Sequence, residues 1–153
     1  LNVVENLGGD YLGGVIFSAL GKYKLPPTTK ARDNAVAALK RLAITAQSKG
    51  ITLGLEPVNR YESNLLNTGR QALDMIKDIG EPNVVVHLDI YHMNIEEQDL
   101  VSPVLEAGKQ LGYVHIGASH RGPLSSINID FESFSSIVIS PDLSSKLRIW
   151  QNL

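Results

Sequence analysis

Two rhythms of apolar and polar positions alternate along this chain. Short, nearly unbroken apolar runs occur at residues 11–18 (YLGGVIFS), 51–56 (ITLGLE), 84–89 (VVVHLD), 113–117 (YVHIG) and 127–134 (INIDFESF). Runs this short, rich in β-branched residues and bounded by Gly or Pro, predict strands. VVVHLD is of the kind buried on both faces. Between them the spacing changes to three and four. Ala35, Leu39, Leu42, Ala43 and Ala46 recur on one side of a stretch flanked by lysines and arginines, which predicts a helix from Thr28 or Thr29 to about Lys49, stopped by Gly50. Ala72, Leu73 and Ile76 predict a second helix, capped by Asn67-Thr68 and ended by Gly80. Residues 1–7 read as the tail of a helix. Residues 92–97 read as a polar loop, followed by a helix to about Leu111 that Gly112 ends. Residues 118–126 read as a loop, and the stretch after Phe134 as a loop with a short helix.

The predicted order is β-α-β-α-β-α-β-loop-β. Strands alternating with helices imply a parallel sheet with right-handed crossovers. Neither GxGxxG nor GxxxxGK[ST] occurs, which argues against a nucleotide-binding doubly wound sheet. Acidic and histidine side chains at successive strand ends point instead to a (β/α) barrel, whose chemistry sits at the carboxyl ends of its strands. A full barrel has eight strands in about 250 residues. Five are expected here, so the fold class is α/β, a partial (β/α)8 TIM barrel forming one domain over residues 1–153. One connection is anomalous. Only about ten residues separate Gly117 from Ile127, whereas a parallel crossover takes a dozen or more.

Composition narrows the functions. A formal charge of −2, with no basic run, sets aside nucleic acid and membrane surfaces as partners. No apolar stretch is long enough to span a bilayer. There are no cysteines, which excludes disulfides and thiolate metal sites and fits a reducing, cytoplasmic setting. The opening LNVVENLGGDYLGG reads as the middle of a longer protein.

The candidate chemistry lies at the strand ends: Glu56 before Pro57, Asp89 closing VVVHLD, His115 in YVHIG and Glu132 in INIDFE. A single carboxylate after a strand is commonly a cap or surface charge, and a single strand histidine is as often a core residue. Four at equivalent places converge on one axis in a barrel. Three carboxylates and one imidazole make an oxygen-rich set suited to Mn²⁺, Mg²⁺ or Co²⁺ rather than to a structural zinc. A divalent ion on the carbonyl and neighbouring hydroxyl of a sugar stabilises the enediolate left when the adjacent proton departs. Carboxylates on opposite sides of that carbon can remove a proton from one face and return it to the other, which is epimerisation. Glu56 and Glu132 are the expected pair. Return to the adjacent carbon would give aldose–ketose isomerisation. Glu62, His92 and Arg121 fall on the same rim and are expected to hold sugar oxygens. Arg60 reads equally as a surface ion pair or as part of the site. His87 is left open between the core and the ligand-bearing face. His120 has no clear partner, and Glu96 and Glu97 read as surface charges favoured at a helix start.

The segments GITLGLEPVNRYESNLLNT, NVVVHLDIYHMNIEE, GYVHIGASHRG and FESFSS resemble the D-tagatose 3-epimerase / D-allulose (D-psicose) 3-epimerase family, within the xylose-isomerase-like TIM barrels. YLGGVIFSALGKY resembles that family's fourth-strand segment. The resemblance runs along nearly the whole chain. It implies strands four to eight of the barrel, with the first three strands and one late helix missing. It implies a metal site, most readily Mn²⁺, made by Glu56, Asp89, His115 and Glu132. It further implies that the two glutamates act at carbon 3 of a free ketose, with Glu62, His92 and Arg121 contacting it. Ala118 departs from the glutamate usual after HIG. A related sugar isomerase, acting on hydroxypyruvate or xylose, and a non-catalytic half-barrel needing a partner or a second copy are the competing expectations.

Overall fold

Four of the five apolar runs become strands of a single curved sheet. In the computed structural model, which describes residues 1–118, positions 134, 136 and 138, and residues 148–151, these are β1 (Tyr11–Gly14), β2 (Thr52–Leu55), β3 (Val84–Asp89) and β4 (Leu111–Ile116). A fifth strand, β5 (Arg148–Gln151), completes the order β1-β2-β3-β4-β5, with every neighbouring pair parallel. The helices are α1 (Asn2–Asn6), α2 (Thr29–Gln47), α3 (Gly69–Ile79), α4 (Ile90–Glu96) and α5 (Ser102–Ala107). The result is part of a (β/α) barrel. No helix among the described residues is long and apolar enough to cross a membrane.

Period two decides which side chains face the helices. Val84, Val86 and Leu88 of β3, and Leu111, Val114 and Ile116 of β4, enter the core with Ala35, Leu39 and Ala43 of α2 and Ala72, Met75 and Ile79 of α3. The intervening residues, His87 and Asp89 on β3 and Tyr113 and His115 on β4, point to the concave side. There the Tyr11 and Tyr113 rings stack with centroids 5.1 Å apart, although β1 and β4 are separated by two strands. In a flat sheet that is about 14 Å of backbone spacing, so strong curvature brings the rings together. Gly54 on β2 keeps the passage open, since a Cβ there would fall 1.7 Å from the Tyr11 hydroxyl. The edges also draw together: Arg148 pairs with Asp10 at 2.6 Å and lies over the Tyr11 ring.

The structure corrects several boundaries. The first strand stops at Gly14 (φ 128°), where the chain turns and the Ile16 amide reaches back to the Gly14 carbonyl. The stretch 92–97, expected as a loop, is mostly helix: Asp89 accepts from the Tyr91 amide and starts α4 directly off β3. The following helix is shorter than expected. Asp99 opens it by accepting from the amides of Val101 and Ser102, and Gly108 (φ 46°) ends it. Gly112, expected as the stop, lies inside β4. The pairing with β3 skips from Leu111 to Tyr113, so Gly112 is the extra residue of a bulge. Finally, the expected strand at 127–134 falls mostly outside the described residues, and its one described residue, Phe134, is helical, as are Ser136 and Val138. The strand beside β4 is β5. That choice removes the short-connection anomaly, because the chain from Ile116 to Arg148 is long enough for a parallel crossover.

Candidate active site

The site begins with how two strands end. Glu56 follows β2, and its amide donates to the Gly14 carbonyl at 3.2 Å, fixing it beside the end of β1. Pro57 then withdraws the chain from the sheet. Asp89 ends β3. One of its oxygens caps α4 through the Tyr91 amide at 2.8 Å, while the other faces the concave side. His115, paired with Asp89 in register on β4, places Nδ1 3.4 Å from Glu56 Oε1 and 3.6 Å from Asp89 Oδ2. The imidazole therefore stands between two carboxylates that are 33 residues apart in the chain.

The charge balance follows from this geometry. The Asp89 contact first, and the Glu56 contact second, hold the His115 proton up to about 9. For Asp89, burial works to raise the carboxyl, but the His115 and Tyr91 contacts win and keep it below the usual carboxylate range. His87 is the opposite case. Burial pushes its imidazole down to about 4, against an upward pull from Glu56.

The loop after Pro57 closes one wall. Asn67 Nδ2 donates to the Val58 and Ser63 carbonyls and gathers the loop into a compact turn. Inside the turn Asn59 is buried, and it donates to Glu62 Oε1 at 3.1 Å. Its backbone amide and its side chain both lie against His92 Nδ1, at 3.1 and 3.0 Å. Nδ1 is then the acceptor, and Nε2, 4.0 Å from Asp89 Oδ2, carries the proton. Glu56, Glu62, Asp89, His92 and His115 line one cavity of about 330 Å³.

Five of the seven residues singled out from sequence are thus brought together. Glu132 and Arg121 lie outside the described residues, as does His120. Arg60 forms an ion pair with Glu96 at the rim. Glu96 and Glu97, read from sequence as surface charges at a helix start, sit instead at the end of α4: Glu96 holds Arg60, and Glu97 accepts from the Gly69 amide at 2.7 Å. They are spent on fastening the loop and the start of α3. Ala118 is fully buried. Asn59 was not singled out. The available signal was its place three residues before Glu62, in a turn forced by proline.

Ligand atoms that could share a cation fall into two groups, each within 4.8 Å: Glu56, His87 and His115, and Glu56, Asp89 and His92. Glu56 belongs to both. Residues 1–144 match the model of the "Xylose isomerase-like TIM barrel" family. The chain belongs to that family. Among xylose isomerase-like TIM barrels, it is 48% identical over 170 residues to an L-ribulose 3-epimerase of Methylomonas sp. (strain DH-1), covering 99% of this chain and 59% of that protein. It is 47% identical over 171 residues to a ketose 3-epimerase of Arthrobacter globiformis, covering 100% of this chain and 59% of the other. The crystal structure of a D-allulose 3-epimerase from Methylomonas sp. in complex with D-allulose superposes with a TM-score of 0.93 at 48% identity, over 98% of this chain and 51% of that one. The chain therefore spans about three-fifths of the length of these relatives. The matched stretch of 170 residues exceeds the 153 of this chain, so the relative has internal residues with no counterpart here.

Proposed function

We propose that this chain is a single domain, corresponding to strands four to eight of the barrel, of a metal-dependent ketose 3-epimerase acting on a free ketose of the fructose/allulose or tagatose/sorbose type. The observation that carries this reading is the position of His115 Nδ1 between the Glu56 and Asp89 carboxylates at three successive strand ends. The names of the relatives, and the allulose held by one of them, support the substrate class.

The donors fit a divalent cation: two carboxylates and a neutral imidazole form the oxygen-rich set that Mn²⁺ takes, with Co²⁺ or Mg²⁺ as alternatives. Glu56, Asp89 and His115 would hold it, joined by Glu132. When bound, the cation supplies positive charge against the oxygen that becomes negative as the carbon-bound proton leaves. Glu56 takes that proton at carbon 3, and Glu132 returns one to the opposite face. Glu62, fixed by Asn59, accepts from a sugar hydroxyl. His92 presents Nε2–H to a sugar oxygen, and Arg121 adds a further donor. The partly enclosed cavity limits water around the exposed carbon.

Glu56→Gln tests the reading. Loss of fructose-to-allulose turnover by about 10²–10⁴-fold, with Mn²⁺ binding weakened but measurable by calorimetry, is the expected result. A rate equal to that of the unaltered chain would remove Glu56 from proton transfer and with it this assignment.

A further inference from the structure

Among the described residues, His87 is the buried ionisable side chain for which the proposed reaction has no use. It is 3% exposed and sits on β3 two residues before Asp89, on the same face. Neither ring nitrogen has a hydrogen-bond partner. A neutral imidazole offers one donor and one acceptor, and burying both unmet is costly enough that such groups mark an absent ligand or water. Its walls are aromatic, with the Tyr113 ring centroid at 4.6 Å and the His115 ring edge-on at 4.3 Å. Gly13 leaves room beside Nδ1, where a Cβ would come within 2.9 Å. The polar atoms that a His87 nitrogen can share a ligand with belong to Glu56 and His115, all within 4.8 Å of one another.

We infer that Glu56, His87 and His115 form a second, nitrogen-rich cation position that takes a borderline divalent ion such as Zn²⁺. The inference rests on the reading that Glu56 and His115 hold a cation at all, and it adds a choice between two places. Two imidazoles and one carboxylate are donors that zinc favours, whereas the set containing Asp89 has two carboxylates and suits a harder ion. Glu56 belongs to both ligand groups, and the proposed oxygen-rich site also uses His115, so the two occupancies exclude one another. Zinc held by His87 sits deeper in the barrel than the oxygen-rich position and leaves Asp89 without the ion. Metal choice then becomes a choice of position, and zinc acts as a competitor of manganese.

Calorimetric titration with ZnCl₂ and with MnCl₂, on the unaltered chain and on His87→Phe and His87→Gln, tests this. Phenylalanine keeps a ring against Tyr113 and His115 while removing both nitrogens. The expected result is Zn²⁺ affinity lowered at least about tenfold in both variants, Mn²⁺ affinity held within about twofold, and competition between the two ions in the unaltered chain. Zn²⁺ affinity unchanged in the variants, or both ions weakened alike, overturns the inference. A readout that needs no variant is the ring-nitrogen resonance of His87. It should move on addition of Zn²⁺, and a stationary signal overturns the assignment. If Mn²⁺ fails to bind the unaltered chain while the variants still lose Zn²⁺, the oxygen-rich site is the reading that fails and this one stands.

Discussion

The Glu96 carboxylate accepts from three nitrogens of one residue, Arg60: the backbone amide at 2.6 Å, Nε at 2.9 Å and Nη2 at 2.8 Å. The glutamate side chain is only 6% exposed and the arginine 62%, so the partner that loses most from a break is the acid. This pair ties the loop after β2 to the end of α4, while the adjacent Glu97 ties α4 to the first amide of α3. Glu96→Ala should lower the thermal midpoint and also raise KM more than it lowers kcat, because the freed loop carries Asn59 and Glu62. Glu97→Ala should lower the midpoint with little change in KM. Differential scanning calorimetry alongside steady-state ketose kinetics separates the two. Equal KM effects would show that the Arg60 contact is not what positions the loop.

Asn59 fastens Glu62 and His92 at once, and its removal should act on both. Asn59→Ala keeps the backbone donor to His92 Nδ1 but removes the side-chain donor to Glu62. A loss in kcat/KM of about tenfold or more is expected, carried mainly by KM. Asn59→Asp should be worse, since it replaces the donor to Glu62 with a like charge. Kinetics in which the aspartate variant outperforms the alanine variant would contradict this placement.

The two histidines on the concave face pull stability in opposite directions with pH. His115 keeps its proton up to about 9 in the fold, against 6.5 for an ordinary imidazole. Between those values the native state binds more protons than the unfolded one, so this contribution is complete below 6.5 and is lost as pH rises through 9. His87 is held down to about 4, so the unfolded chain takes a proton first as pH falls from 6.5, and the native state is weakened towards 4. The metal-free chain should therefore have its highest thermal midpoint near pH 6.5. His115→Gln should flatten the alkaline limb and His87→Phe the acid limb above the range where carboxylates protonate. Midpoints measured in EDTA across pH 4 to 9.5 check both. Mn²⁺ should bind more tightly at pH 8 than at 6.5, because it must displace the His115 proton.

The bulge at Gly112 is a packing requirement. A Cβ there would lie 2.4 Å from Val85 Cγ2 and 2.9 Å from Val85 Cβ. Valine is stiff at χ1, so β3 and β4 would have to part. Gly112→Ala should cost about 1–3 kcal/mol in urea unfolding, and Val85→Ala in the same chain should recover much of it. Simple additivity of the two substitutions would rule the contact out as the cause.

What could be read in the sequence was whatever depends on short-range pattern. The strands ending at Glu56 and Asp89 and the helices through Leu39 and Ile76 follow from periodicity and caps. The partial barrel follows from their alternation. Glycines misled where their reason is tertiary: Gly112 looks like a helix stop but serves Val85 on the next strand. Glu96 and Glu97 look like dipole-favoured charges because their partners, Arg60 and Gly69, are 36 and 28 residues away. The expected Ile127–Phe134 strand rests on hydrophobicity and lies outside the described residues except for Phe134, which is helical, while the strand paired with β4 is Arg148–Gln151. At the site, the residue types were visible, but the tautomer of His92 and the unmet nitrogens of His87 exist only once Asn59 and Glu56 have been folded against them.

Asp89 divides its two oxygens between architecture and chemistry: Oδ1 starts α4 while Oδ2 faces His115. A replacement with no side-chain oxygen would therefore be felt twice. Asp89→Asn keeps an oxygen to start the helix and should keep the fold, yet it loses the charge an ion needs. Asp89→Ala should unravel the first turn of α4 and carry His92 away with it. On the proposed reading, a chelator that takes an ion away would, by contrast, leave the helix start intact, because the Tyr91 amide and not the ion holds Oδ1. The rim would then stay in place, already shaped, for another ion.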